Sequence, residues 1–130
     1  MWRREAAAER STRVDIETIA TAFSQHDFAV AYPHISGDVR WNIVGASEAH
    51  GKDALVAACE GTLAALIATT TTFTSFRALR AGNTVVIESV ADYTEPDGSV
   101  ATVASCDIYD FDTDNTVAAI TSYTVEVGPA

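Results

Sequence analysis

From residue 81 to the C-terminus the chain contains no lysine and no arginine, although its acidic residues continue throughout that stretch. Of the eight basic residues, Arg3, Arg4, Arg10 and Arg13 crowd the start, and the 130-residue chain carries a formal net charge of −10. So little positive charge leaves nothing to neutralise a phosphate array, which excludes nucleic acid and anionic membrane as partners. The charge favours solubility and leaves the basic N-terminal segment free to lie against an acidic surface. Cysteine is scarce as well: Cys59 and Cys106 stand apart in apolar surroundings and read as buried thiols. With two separate cysteines and three scattered histidines, no zinc-ligand, Cys-His or Ser-His-Asp arrangement can be assembled, so no metal or cofactor is expected. No run approaches the ~20 apolar residues of a membrane span. The N-terminus lacks the apolar region of a secretory signal, so the expected location is cytoplasmic. There is no repeat, linker or low-complexity tract. An apolar fraction of 48% then leaves one folded domain with a single core.

The most informative stretch present is Ala101–Phe111, which is rich in β-branched, aromatic and small residues and reads as a long, largely buried strand. Alternate side chains of a strand share a face, so Asp107 points with Val103, Ser105, Tyr109 and Phe111. It lies either at a solvated rim or at the polar centre of an apolar pocket. In the second case burial without a cation raises its pKa, which suits a general acid or a base working near neutral pH. Ser105, Tyr109 and Asn42 are the expected donors to its carboxylate. Arg40, Arg77 and Arg80 are the cations that would undo the argument by reaching in.

The chain divides into a polar, helix-prone N-terminal extension over residues 1–14 and one domain over residues 15–127. Asp15 is placed to cap a helix whose buried face carries Ile16, Ile19, Ala20 and Phe23. After the Gln25-His26-Asp27 break a second short helix carries Phe28, Ala31, Tyr32 and Ile35. His26 and His34 read as turn or solvated histidines. Ser36-Gly37-Asp38 turns into a strand, Val39–Val44, with Trp41 and Asn42 on opposite faces. Gly45–Gly51 reads as a loop. The helix opened by Gly51-Lys52-Asp53 lines one side with Leu55, Ala58, Cys59, Thr62, Leu63 and Leu66. A lysine after a glycine is not enough for a phosphate loop, since the other glycines and the Ser/Thr are absent. Long strands are expected over Thr72–Ala81, Thr84–Glu95, Val100–Phe111 and Val117–Val127, the middle pair joined by a Glu95-Pro96-Asp97-Gly98 hairpin turn. Asp110, Asp112 and Asp114 are spaced like the start of a calcium loop, but Asn115 and Thr121 replace the required glycine and glutamate, so a hairpin turn is expected. Helices followed by a run of antiparallel strands make an α+β fold.

Val39-Arg40-Trp41-Asn42, the loop to Gly51-Lys52-Asp53-Ala54-Leu55, and Asp107-Ile108-Tyr109-Asp110-Phe111 before Val117 and Tyr123 together resemble the nuclear-transport-factor-2-like superfamily. The resemblance is to its SnoaL-like and ketosteroid-isomerase-like members and covers roughly Asp15 to Val127. It implies a cone-shaped α+β barrel, a strongly curved and mostly antiparallel sheet closed by N-terminal helices over one pocket. It also implies a homodimer formed through the outer sheet face. By the same resemblance Asp107 falls on the neutral acid of ketosteroid isomerases, Asn42 replaces their aspartate base, and their tyrosine donor falls near Ile19. Glu88, Val90 and Ser122 fall nearest the Asp-Arg-Asp set of limonene-epoxide-hydrolase relatives. Polyketide cyclases of the superfamily need little beyond one acid/base in an aromatic pocket, and this sequence meets that need.

The expected site therefore has Asp107 as acid/base and Asn42 as a positioning amide. Trp41, Glu88, Tyr109, Phe111, Ile120, Ser122 and His50 are the substrate-binding candidates, and Ile120, Ser122 and Thr124 are expected inward with Tyr123 outward. Two functions fit. One is a cofactor-independent enzyme, an isomerase, cyclase, dehydratase or hydrolase, acting on a mostly neutral small organic molecule. The other is a non-catalytic dimeric module for ligand binding or assembly.

Overall fold

The computed structural model describes residues 14–128, so the N-terminal extension, save Val14, lies outside the described residues. Helix α1 (Ile16–Ser24) is followed by α2 (Phe28–Ala31) and a 3-10 turn (Tyr32–His34). Strand β1 (Ile35–Ile43), strand β2 (Ser47–His50) and helix α3 (Lys52–Ala65) come next. Four long strands complete the chain: β3 (Thr70–Ala81), β4 (Thr84–Thr94), β5 (Val100–Phe111) and β6 (Val117–Val127). They form one curved, open six-stranded sheet in the order β2-β1-β6-β5-β4-β3, antiparallel throughout except where β1 runs parallel to β6.

The concave face holds the core. Ile16, Ile19, Ala20 and Phe23 of α1 are buried, as their three- and four-residue spacing requires, against Val85 and Ile87 of β4 and Tyr109 and Phe111 of β5. Asp15 stands at the start of α1 but makes no side-chain cap, because its carboxylate accepts a 3.2 Å bond from Arg80 of β3 instead. The β4–β5 turn closes with the Gly98 N–H donating to Glu95 O at 2.9 Å. Gly98 takes φ +87°, a left-handed conformation that explains the glycine. At the β5–β6 turn Asp112 accepts from the amides of Asp114 and Thr116 at 2.9 and 3.1 Å, so its carboxylate holds its own turn.

Three expectations need correction. The Gly45–Gly51 loop contains β2, a short edge strand paired to β1. Strand β1 begins at Ile35 and passes through the expected Ser36-Gly37-Asp38 turn by shifting register between Ile35 and Arg40. Helix α3 buries only Leu55 and Cys59 of the six residues expected on one side; Ala58 is exposed, Leu63 is 40% exposed, and Thr62 and Leu66 are half-buried. The helix rests mainly on β1 and β2, so a narrow stripe suffices to dock it. No helix among the described residues is long and apolar enough to cross a membrane.

Candidate active site

Asp107 sits mid-strand on β5, with Ile87 of β4 and Ser122 of β6 as its cross-strand neighbours. The alternation of β5 turns Val103, Ser105 and Asp107 toward the helices, where they form one wall of a cavity of about 270 Å³. Phe23 and Phe28 close it from the helices, Trp41 from β1, Phe73 from β3 and Tyr93 from β4. Phe23 meets Phe28, Trp41 and Tyr109 edge-on at centroid distances of 4.9, 5.2 and 5.9 Å, a geometry that favours rigid aromatic walls.

Two buried serines hold the carboxylate. Ser24, the last residue of α1, donates to Asp107 Oδ2 at 2.8 Å, and its oxygen lies 2.6 Å from the Tyr109 hydroxyl. A serine has one proton to give, so Tyr109 donates to Ser24 and the relay runs Tyr109 to Ser24 to Asp107. On the other side Trp41 Nε1–H donates to Ser122 Oγ at 3.0 Å, which leaves the Ser122 proton for Asp107. Burial pushes the Asp107 pKa up, while hydrogen bonding from Ser122 and Ser24 and the proximity of His26 pull against it. The three arginines that could have reached in are engaged elsewhere on the surface: Arg40 with Glu48, Arg77 with Glu88 and Arg80 with Asp15.

His26 also lines the cavity, its ring 5.6 Å from Phe28, 6.2 Å from Tyr93 and 6.3 Å from Phe73. Burial lowers its pKa, and the Asp107 charge opposes that. The residue does lie in a turn, as expected, but it is half-buried and faces the cavity. The overlooked signal is its place directly after an apolar helix, where a left-handed residue closes the turn. Ser24 was legible too, since it continues Ile16 and Ala20 at four-residue spacing on the buried face.

The remaining candidates separate cleanly. Trp41 and Ser122 line the cavity; Tyr109, Phe111 and Ile120 are buried in the core beside it rather than on its wall. Asn42 is exposed on the other face of β1, because the alternation that turns Trp41 inward turns Asn42 out, and it cannot position a substrate here. Glu88 and Val90 likewise fall on the outer face of β4, where Glu88 pairs with Arg77 at 2.9 Å; Ser89 and Ala91 face the cavity instead. His50 is exposed on β2, 3.2 Å from Glu48 and off the cavity wall. Ser105 lines the cavity, but Ser24 and Ser122 are the donors to Asp107. Strand β6 has the expected register, with Ser122 and Thr124 inward and Tyr123 outward. Burial, with Glu60 nearby, pushes the Cys59 thiol up to about 12 against a hydrogen bond with Tyr32, which removes it as a nucleophile. Among the described residues no cluster of three His, Cys, Asp or Glu side chains is arranged to hold a metal ion.

A sequence profile of the SnoaL-like domain matches residues 16–120. The chain belongs to the SnoaL-like domain family. An NTF2-like protein of unknown function from Cytophaga hutchinsonii is 31% identical to this SnoaL-like domain. Its structure aligns over 85% of this chain and 100% of its own with a TM-score of 0.73. An LEH-like epoxide hydrolase from M. tuberculosis shares the fold at 14% identity and a TM-score of 0.64, over 85% of this chain and 82% of its own. The epoxide hydrolase/cyclase-like enzyme SalBIII of pyran ring formation in the polyether salinomycin shares it at 13% identity and a TM-score of 0.63, over 85% and 90%. No curated protein matches the chain. Within this SnoaL-like domain the fold is thus NTF2-like, and Asp107 lies in the concave cavity.

Proposed function

We propose that this SnoaL-like domain is a cofactor-independent, cytoplasmic enzyme that moves protons on a small, uncharged organic molecule, with Asp107 as its acid/base. The observation that carries the reading is a carboxylate on an aromatic cavity wall, held by serine hydroxyls and, among the described residues, faced by no arginine or lysine. Burial raises the pKa of such a group, the direction that favours giving and taking a proton. An anionic substrate would meet the carboxylate with, among the described residues, no arginine or lysine to offset it. The cavity, at about 270 Å³, falls just under the ~300 Å³ where pockets for drug-sized ligands begin, so the substrate is small. Isomerisation, cyclisation, dehydration and hydrolysis all fit this chemistry. The buried Tyr109 and Phe111 lie beside the cavity and leave it open, which favours an enzyme over a filled assembly module.

A panel of small neutral ketones, epoxides and enols, screened by thermal shift and then by turnover, tests this reading. The expected result is binding that perturbs the Asp107 carboxyl resonance, followed by conversion; binding without conversion across the panel would leave a ligand-binding module. The relay makes a separate prediction. Ser122→Ala removes a donor to the ionised form, so Asp107 should titrate at higher pH than in the wild type, as read by carbon-detected NMR. An unchanged titration would show that Ser122 does not bond the carboxylate.

We further propose a homodimer through the outer sheet face. Val125 is 63% exposed there with Tyr123 and Val127 about half exposed beside it on β6, and Leu79 of β3 is about half exposed on the same face. Val86 and Val90 extend the same surface, while Val85, Ile87 and Ala91 are buried on the concave side. An apolar sheet face of this kind requires cover. Sedimentation should show a dimer at micromolar concentration, and the Tyr123→Asp, Val125→Asp double variant should be monomeric. A monomeric wild type removes the interface.

A further inference from the structure

Helix α1 ends in a turn whose backbone is closed twice: Asp27 N–H donates to Ala22 O at 2.8 Å and His26 N–H to Phe23 O at 3.1 Å. This is the Schellman arrangement, and its left-handed position normally belongs to glycine. Here it belongs to His26, at φ +66°. A branched-free glycine would relax that turn, yet the chain carries an imidazole there and aims it into the cavity. Non-glycine residues held in this region gather at functional sites. The same turn carries Ser24, two residues earlier, which bonds Asp107. One rigid element thus delivers both the imidazole and a donor to the carboxylate.

We propose that His26 is the second proton-transfer group of this cavity, working with Asp107 as a pair that holds one proton and one lone pair between them. The inference rests on the reading of Asp107 as acid/base and adds its partner. In a turnover, the basic member takes a proton from a C–H or O–H of the bound molecule while the other member gives its proton to an acceptor oxygen on it. The proton count of the pair is unchanged, with the proton moved from one member to the other, and the reverse exchange or solvent restores the start. No electrons are gained or lost. The two side chains line the same cavity, and the charge of each opposes the burial shift of the other. Among the described residues the other titratable groups coupled to Asp107 from its cavity side are phenols. Tyr93 of β4 and Tyr109 of β5 are both raised by burial and by Asp107. Both stay neutral while the pair titrates. Activity should therefore follow a bell in pH, lost on the acid side when the pair takes up a second proton and on the alkaline side when it gives up its last.

The probe is 2-tetralone, a small uncharged ketone, in D₂O, with exchange of its α-hydrogens followed by proton NMR from about pH 5 to about pH 9. The wild type should exchange it faster than buffer, with a bell-shaped profile. His26→Gly should lower the rate by roughly 100-fold and abolish the bell. The same variant should melt higher by on the order of 5 °C, because glycine suits the left-handed turn. Added imidazole should restore part of its rate. His26→Asn, which tolerates the same backbone, should be equally inactive and is the check on any effect of the glycine. A His26→Gly protein that keeps both rate and bell, or a wild type no faster than buffer, overturns the proposal. Loss of rate in Asp107→Asn with full rate in His26→Gly overturns the pairing alone and leaves Asp107 as the acid/base. Full rate in both variants removes both.

Discussion

Asp107→Asn is expected to lower turnover of the physiological substrate by about 100-fold or more, and to make the protein more stable at neutral pH. Asparagine keeps the shape, and its carbonyl oxygen can still accept from Ser24, so the cavity survives while the proton chemistry does not. The stability gain follows from linkage. The folded state raises the Asp107 pKa above its ordinary value, so the folded protein holds that proton more tightly than the unfolded chain does. The stabilisation from this group is complete below the unfolded-chain pKa and is lost as pH rises through the folded one. Above that point the wild type keeps a charge in a poorly solvated cavity, and the asparagine variant does not. Thermal melts should show the variant ahead of the wild type at neutral pH, with the gap closing as the pH falls below about 4, where the carboxyl becomes protonated in both states. A variant that melts lower at neutral pH, or that keeps full turnover, would mean that Asp107 is an ordinary ionised carboxylate outside the chemistry.

Leu55→Ala is expected to cost about 2–5 kcal/mol, which lowers the melting temperature by on the order of 10 °C in a chain of this size. Leu55 is 0% exposed and, with Cys59, is one of only two buried residues that dock α3 on β1 and β2. Truncation removes apolar contact and leaves a cavity that the sheet cannot collapse to fill. Leu63→Ala, two turns along the same helix, should change stability by no more than about 0.5 kcal/mol, because Leu63 is already 40% exposed. Equal losses from the two variants would show that α3 buries the wider stripe its sequence suggests. The comparison needs only melts by circular dichroism.

The strand ends at Val100, Phe111, Val117 and Val127 were legible to the residue, because period-two apolar runs there stop at Asp- and Gly-bearing turns whose backbone needs are local. The inward face of β5 followed from the same alternation, and with it the placement of Asp107 on the cavity wall. The missing cations of the last fifty residues were visible in the sequence as well. What the sequence could not supply was which neighbours meet across the sheet. Strand β1 pairs in parallel with β6, and only that long-range pairing brings Trp41 Nε1 onto Ser122. Register decided Asn42 and Glu88, where a shift of one residue exchanges cavity for solvent. Helix packing decided Leu63, since helical spacing shows which residues share a face but not how far a neighbouring sheet extends along it. Tertiary contact decided which way His26 faces: a turn histidine is solvated by default, and here Phe28 of α2, Phe73 of β3 and Tyr93 of β4 stand around it on the wall of the carboxylate's cavity.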